Sequence, residues 1–171
     1  MIRDLRPSDL EYMLEWMRDK DVTKNLQADF ASFTKQMARD FIEKSKNKEN
    51  VDNVHFAICD DNDEYMGTIS LKNISKKDRN AEYAIVTRTK AHGKGYARIA
   101  TDEILKYGFD ILGLEKIYLY VSVNNIAANK FYKKCGFIEE GVFRKHLNIK
   151  GKLENIRWYS ILKEEFQNKE P

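Results

Sequence analysis

Ala81-Glu82-Tyr83-Ala84-Ile85-Val86-Thr87, Lys90-Ala91-His92-Gly93-Lys94-Gly95 and Ile117-Tyr118-Leu119-Tyr120-Val121-Ser122-Val123 are the runs whose reading decides the fold. The first and last are short, apolar and rich in β-branched or aromatic residues, as strands are. Between them, from Tyr96 to Leu112, Ala97, Ala100, Ile104, Gly108 and Ile111 fall on one helical stripe, which Leu105 and Leu112 widen. Gly113 then ends the helix, a common place for glycine. A strand, a helix and a second strand of these lengths make a crossover unit. The two strands are therefore expected to be parallel neighbours joined right-handed, with ligands near their C-terminal ends.

Upstream, Ile2–Leu5 reads as a short strand. Ser8-Asp9-Leu10-Glu11 reads as a capping box opening a helix with Leu10, Met13, Leu14 and Met17 on its apolar face. A second helix is expected from Thr34 to Lys46, with Met37, Ala38, Phe41 and Ile42 facing inward. Val54–Cys59 and Tyr65–Leu71 are strands joined by the turn chemistry of Asp60-Asp61-Asn62-Asp63, which lacks the spaced pattern of a calcium loop. Downstream come a helix from Asn125 to Cys135 and a hairpin, Phe137–Asn148 and Leu153–Leu162, turning at Lys150-Gly151. With no repeat, linker or low-complexity segment, residues 1–168 read as one α/β domain of 171 residues in all.

Composition narrows the function. A net charge of +3, with 30 basic residues set against 27 acidic ones, gives no reason to expect nucleic acid as the main partner. The N-terminus has no apolar signal region and no apolar run approaches the ~20 residues of a membrane helix, so a cytoplasmic protein with no membrane partner is expected. Cys59 and Cys135 lack metal-ligand spacing and read as buried free thiols, and His55, His92 and His146 are not clustered with other ligands, so no metal is expected.

The loop Lys90–Gly95 sits between a strand and a helix N-terminus. Glycines there let backbone amides approach a ligand, and free amides at the positive helix end suit a pyrophosphate. The loop lacks the Lys-Ser or Lys-Thr of a Walker A motif, and Arg98 stands where a dinucleotide fingerprint needs a third small residue. Coenzyme A remains. A second constellation runs from Asn124 to Phe137. Asn125 can cap the helix, and Tyr132 lies two turns along the same face. Its hydroxyl could protonate a departing thiolate, or its ring could be core packing.

The loop Lys90–Gly95 followed by Ala97, and the pattern Asn125-x-x-Ala128-x-x-Phe131-Tyr132-x-Lys134-x-Gly136-Phe137, together resemble the GNAT superfamily of N-acetyltransferases. Ala81-Glu82-Tyr83 and the hairpin around Lys150-Gly151-Lys152 resemble the branch holding ribosomal-protein, spermidine and amino-sugar acetylases. The resemblance implies a mixed, mostly antiparallel sheet flanked by helices, with a central parallel strand pair splayed around acetyl-CoA. It further implies that the backbone of Ala84, Ile85 and Val86 pairs with the pantetheine arm. Amides of His92, Gly93, Lys94, Gly95, Tyr96 and Ala97 would hold the pyrophosphate, Asn125 would fix the coenzyme near its reactive end, and Tyr132 would be the general acid. Lys90 departs from the Gln or Arg the family prefers at the loop's first position.

The expected reaction is direct attack of a neutral primary amine on the acetyl thioester, and positioning supplies much of the acceleration. An alkyl amine arrives protonated, so a base must take its proton. Glu82 is the candidate, with an ion pair to a surface cation as the alternative. The acceptor is a small-molecule amine, an amino sugar or a protein N-terminus, in a pocket shaped by the first two helices with Trp16, Gln27 and Phe30. The segment Lys20–Lys35 is not acidic enough to favour a polyamine. Two other readings are an acetyl-CoA-binding sensor without turnover, which the retained Tyr132 and Asn125 count against, and a basic module using Lys72–Arg79. The terminal hairpin could support a homodimer.

Overall fold

A computed structural model describes residues 1–49 and 51–168. Seven strands form one sheet: β1 (Ile2–Arg3), β2 (Val54–Cys59), β3 (Tyr65–Ser75), β4 (Asn80–Thr87), β5 (Lys116–Ser122), β6 (Ile138–Ile149) and β7 (Lys152–Leu162), in the order β1-β2-β3-β4-β5-β7-β6. All neighbours are antiparallel except β4 and β5, which the crossover length predicts to be parallel. The helices are α1 (Leu10–Arg18), α2 (Lys20–Thr23), α3 (Lys35–Lys44), α4 (Tyr96–Lys106), α5 (Ile126–Lys134) and α6 (Lys163–Gln167).

Alternation along the strands sends side chains to two cores. Ile69, Leu71, Ala81, Tyr83, Ile117, Leu119, Tyr159 and Ile161 face Ala100, Ile104 and Leu105 of α4. Ala57, Cys59 and Tyr65 face Leu10, Met13, Leu14 and Met17 of α1 and Ala38 and Ile42 of α3. Ile104 and Leu105 are fully buried, each contributing roughly 1.5–3 kcal/mol of apolar transfer energy.

Several helix details differ from the sequence expectation. Ser8 does not cap α1. The chain enters through a tight turn, Pro7–Asp9, where the buried Asp9 carboxylate accepts the Arg6 N–H at 2.8 Å and is gripped by both terminal nitrogens of Arg3 at 2.8 Å. A charged acceptor held by an arginine fork outcompetes a serine hydroxyl. Thr34 does cap α3, accepting the Met37 N–H, but Met37 itself is exposed rather than inward. The stripe through Tyr96–Leu112 fails at its end because Tyr107–Ile111 adopts π-helical bonding. The extra residue per turn rotates the face, turning Phe109 into the core and leaving Ile111 71% exposed. The Asp60–Asp63 joint is a turn as expected, with Asp60 accepting the amides of Asn62 and Glu64.

Candidate active site

β4 and β5 pair over only three positions, Asn80 with Lys116, Ala81 with Ile117 and Glu82 with Tyr118. β4 then runs on to Thr87 bonded to β3, and β5 runs on to Ser122 bonded to β7. Past Glu82 and Tyr118 the two inner edges therefore carry no mutual ladder. Backbone N–H and C=O groups left without partners need others, and an extended ligand lying between the strands can supply them. The expected pantetheine contacts Ala84, Ile85 and Val86 lie on this freed part of β4.

Beyond β4 the chain passes through a turn at Thr89–Ala91 into α4. Gly95 is the N-cap residue of α4 with φ +84°, and Gly93 has φ +74°; both are exposed. This left-handed backbone is strained for residues with a Cβ and leaves the start of α4 uncapped by any side chain. The six expected phosphate amides divide into two groups. The His92 and Lys94 amides donate to the Thr89 and Ala91 carbonyls, while the amides of Gly93, Gly95, Tyr96 and Ala97 donate no backbone bond among the described residues. Those four, at the positive end of an eleven-residue helix, fit a diphosphate. The Lys90 ammonium turns back to Glu64 at 2.8 Å, and His92 and Lys94 are exposed.

Asn125 caps α5 as its sequence position suggests, accepting the Ala128 N–H at 3.2 Å. Tyr132, two turns later, packs against Tyr83, Phe137 and Tyr159 at centroid distances of 6.0–6.2 Å. Tyr83 is the first β4 residue past the last parallel pair. The Tyr132 hydroxyl has no hydrogen-bond partner among the described residues. Burial, with a smaller contribution from Cys135, pushes its pKa well above the usual phenol value, so the group holds its proton at neutral pH. The neighbouring Cys135 thiol and Cys59 are likewise buried, and burial raises each to about 11, which makes both poor nucleophiles.

Glu82 sits at the last parallel pair, buried, with one oxygen 2.6 Å from Lys72 Nζ and the other accepting from Asn73 Nδ2 at 2.8 Å. Trp16 is core rather than pocket lining. It is buried, donates to the Tyr65 hydroxyl at 3.0 Å and meets Phe30 edge-on, while Gln27 is exposed. His55 is bonded to Ser70 and His146 lies in an aromatic cluster. No group of three or more potential metal ligands occurs among the described residues.

Two residues that sequence reasoning missed hold this region together. The buried guanidinium of Arg88, just past β4, bonds Glu15 of α1 twice, Glu64 and the Tyr65 carbonyl, and lies over the Tyr12 ring. It ties the end of β4, just before the Lys90–Gly95 loop, to the first helix. Asn129, also buried, donates to the Ser122 and Asn125 carbonyls and accepts from Arg157 and the Tyr159 hydroxyl, fixing α5 against β5 and β7. Its position one turn after the capping Asn125 was the available signal. The partners of both come from distant parts of the chain, where short motifs are blind.

A sequence profile of the acetyltransferase (GNAT) domain matches residues 1–138. The chain is 35% identical to a spermidine N(1)-acetyltransferase of Vibrio cholerae over 132 residues, 76% of each chain. It is 28% identical to an N-acetyltransferase of Bacillus licheniformis over 168 residues, 96% of this chain and 93% of the other. A crystal structure of spermidine N-acetyltransferase from Vibrio cholerae in complex with CoA and spermine superposes with a TM-score of 0.88 at 27% identity over 98% of both chains. The chain thus belongs to the GNAT acetyltransferase family, as an acetyl-CoA-dependent N-acetyltransferase that acetylates an amine.

Proposed function

We propose that the acceptor is a neutral primary amine that attacks the acetyl thioester directly, in the gap where β4 and β5 part. The observation that carries this reading is the parting itself: three parallel pairs, then two unladdered edges leading to the glycine-rich start of α4. Acetyl-CoA supplies an activated thioester carbonyl and a sulfur leaving group. The chain's part is to bind and orient. Free amides of Gly93, Gly95, Tyr96 and Ala97, beside the exposed His92 and Lys94, take the diphosphate. The backbone of Ala84, Ile85 and Val86 pairs with the pantetheine amides. The Asn125 amide nitrogen, not used in capping, steadies the arm near its end.

The amine nitrogen forms a bond to the carbonyl carbon and the carbon–sulfur bond breaks. Tyr132 gives its hydroxyl proton to the departing sulfur, and the proton that the nitrogen sheds on becoming an amide restores the phenol through water. The phenol arrives protonated, because burial holds its pKa above the usual phenol value. The amine must first lose a proton, and Glu82 is the carboxylate at the parting able to take it through water. Its ion pair with Lys72 also fits a purely structural role, and a Glu82→Gln variant separates the two: loss of a base moves the acidic limb of the pH–rate profile, whereas loss of a strut lowers stability instead.

The reading is tested by heating the protein with and without coenzyme A and by measuring thiol release from acetyl-CoA over a set of amines. Stabilisation by coenzyme A with amine-dependent thiol release is expected. Stabilisation without release from any amine would make the chain a sensor, and no stabilisation at all would remove the site.

A further inference from the structure

The face of the sheet opposite α4 and α5 is covered by α1 and α3 only over its β1–β3 half. On the other half Glu82, Tyr118, Tyr120, Phe143, His146 and Trp158 share one surface. Strand register sets this: Glu82 pairs with Tyr118, and Tyr120 pairs with Trp158 two residues further on. The Trp158 ring is the hub, 5.0 Å from Tyr120, 5.3 Å from Phe143, 5.9 Å from Tyr118 and 6.4 Å from His146. Phe143 is half exposed, and the Trp158 indole N–H is buried without a partner. Glu82 lies close enough to Tyr118 and Tyr120 to add to the effect of burial in raising both phenols. The aromatic surface therefore begins at the parting of β4 and β5.

Resting on the acetyl-transfer reading above, we propose that this surface receives the acceptor, and that the acceptor is an amino sugar bearing a phosphate or diphosphate. A broad cluster of partly exposed rings offers apolar contact to the C–H face of a pyranose ring. The charges select the rest of the molecule. Carboxylates on this face are ion-paired: Glu82 to Lys72, Glu140 to Lys116 and Glu154 to Lys152. Arg144 and Lys145 have no ion pair among the described residues, and with Phe143 and Asn155 they line a cavity of about 750 Å³ next to the floor. A polycation would meet spent carboxylates and unpaired cations; a phosphate would meet partners.

The experiment assays acetyl transfer to 2-amino- and 4-amino-hexoses, each free, as the 1-phosphate and as the nucleoside diphosphate ester, beside spermidine and a peptide with a free N-terminus. Phosphorylated amino sugars are expected to be preferred. Trp158→Leu and Phe143→Ala are expected to raise the acceptor KM by about tenfold or more, equivalent to the loss of one stacking contact, while the KM for acetyl-CoA moves little. Arg144→Gln is expected to weaken the phosphorylated acceptors selectively. Because Phe143 is half exposed, its variant tests the idea even if Trp158→Leu fails to fold. Preference for spermidine or the peptide, or aromatic variants that leave the acceptor KM unchanged, would overturn the proposal while leaving acetyl transfer intact. So would Phe143→Glu splitting a larger assembly, since a second copy would then cover the floor. No coenzyme A binding at all would instead remove the reading beneath it.

Discussion

The two faces of the sheet are built by different rules. On the α4–α5 face the proposed donor side is assembled from backbone: free amides at Gly93, Gly95, Tyr96 and Ala97, an unladdered strand edge and an asparagine cap, with one phenol packed among aromatic rings. On the opposite face the proposed acceptor side is assembled from side chains meeting across the sheet, Glu82 with Lys72 and Trp158 with Tyr120 and Phe143. Amides present the same pattern whatever residue carries them, so the donor face suits a ligand that does not change. Side chains can be exchanged one at a time, so the acceptor face is where specificity can drift without disturbing acetyl-CoA.

That contrast is broken most severely at Tyr132. Tyr132→Phe removes one oxygen that has no hydrogen-bond partner among the described residues and leaves the ring contacts with Tyr83, Phe137 and Tyr159 in place. The expected result is a fall in kcat of about 100- to 1,000-fold, the range for losing a general acid, with stability almost unchanged. Steady-state kinetics beside a urea titration checks both halves. Loss of stability without loss of rate would return Tyr132 to the role of a core aromatic.

A second break is at Asn129, which fastens α5 to β5 and β7. Asn129→Ala strands the Tyr159 hydroxyl and Arg157, besides removing two bonds to carbonyls. A cost of about 3 kcal/mol is expected, because buried polar groups left unpaired forfeit their solvation. It reads as a lower urea midpoint, with acetyl-CoA affinity falling too as α5 loosens. Tyr159→Phe, which removes one of these bonds, should cost about 1 kcal/mol.

What was legible in the sequence follows the same division. The strand, glycine loop and helix from Ala81 to Leu112 and the capped helix after Asn125 are local patterns, and the parallel pair follows from the length of the crossover alone. The π turn at Tyr107–Ile111 was invisible, because a single inserted residue changes which side chains face the core without changing their hydrophobicity. Arg88 carries no local signal, since its partners Glu15 and Glu64 stand 73 and 24 residues away. The aromatic floor was hidden for the same reason. Tyr118 and Tyr120 are two residues apart, but Phe143 and Trp158 join them only through the pairing of three strands.

A pH-dependent effect is expected where the covered half of the face opposite α4 and α5 meets the bare half. His55 bonds Ser70 Oγ at 2.7 Å under the Phe41 ring, and burial, with Lys72 and Lys48 nearby, lowers its pKa from 6.5 to about 4. The imidazole is therefore neutral in the folded chain at pH values where it is already protonated in the unfolded one. Protons bind preferentially to the unfolded state, so stability falls as pH drops from about 6.5 towards 4 and is unaffected by this group above that window. After discounting for partial exposure, about 1–2 kcal/mol is expected. His55→Gln keeps a hydrogen-bonding group without the titration, so urea midpoints measured at pH 7.5 and pH 5 should differ less for the variant than for the parent. An equal difference would mean that the α3-covered half of this face admits water to His55, and that the two halves are less distinct than their packing makes them.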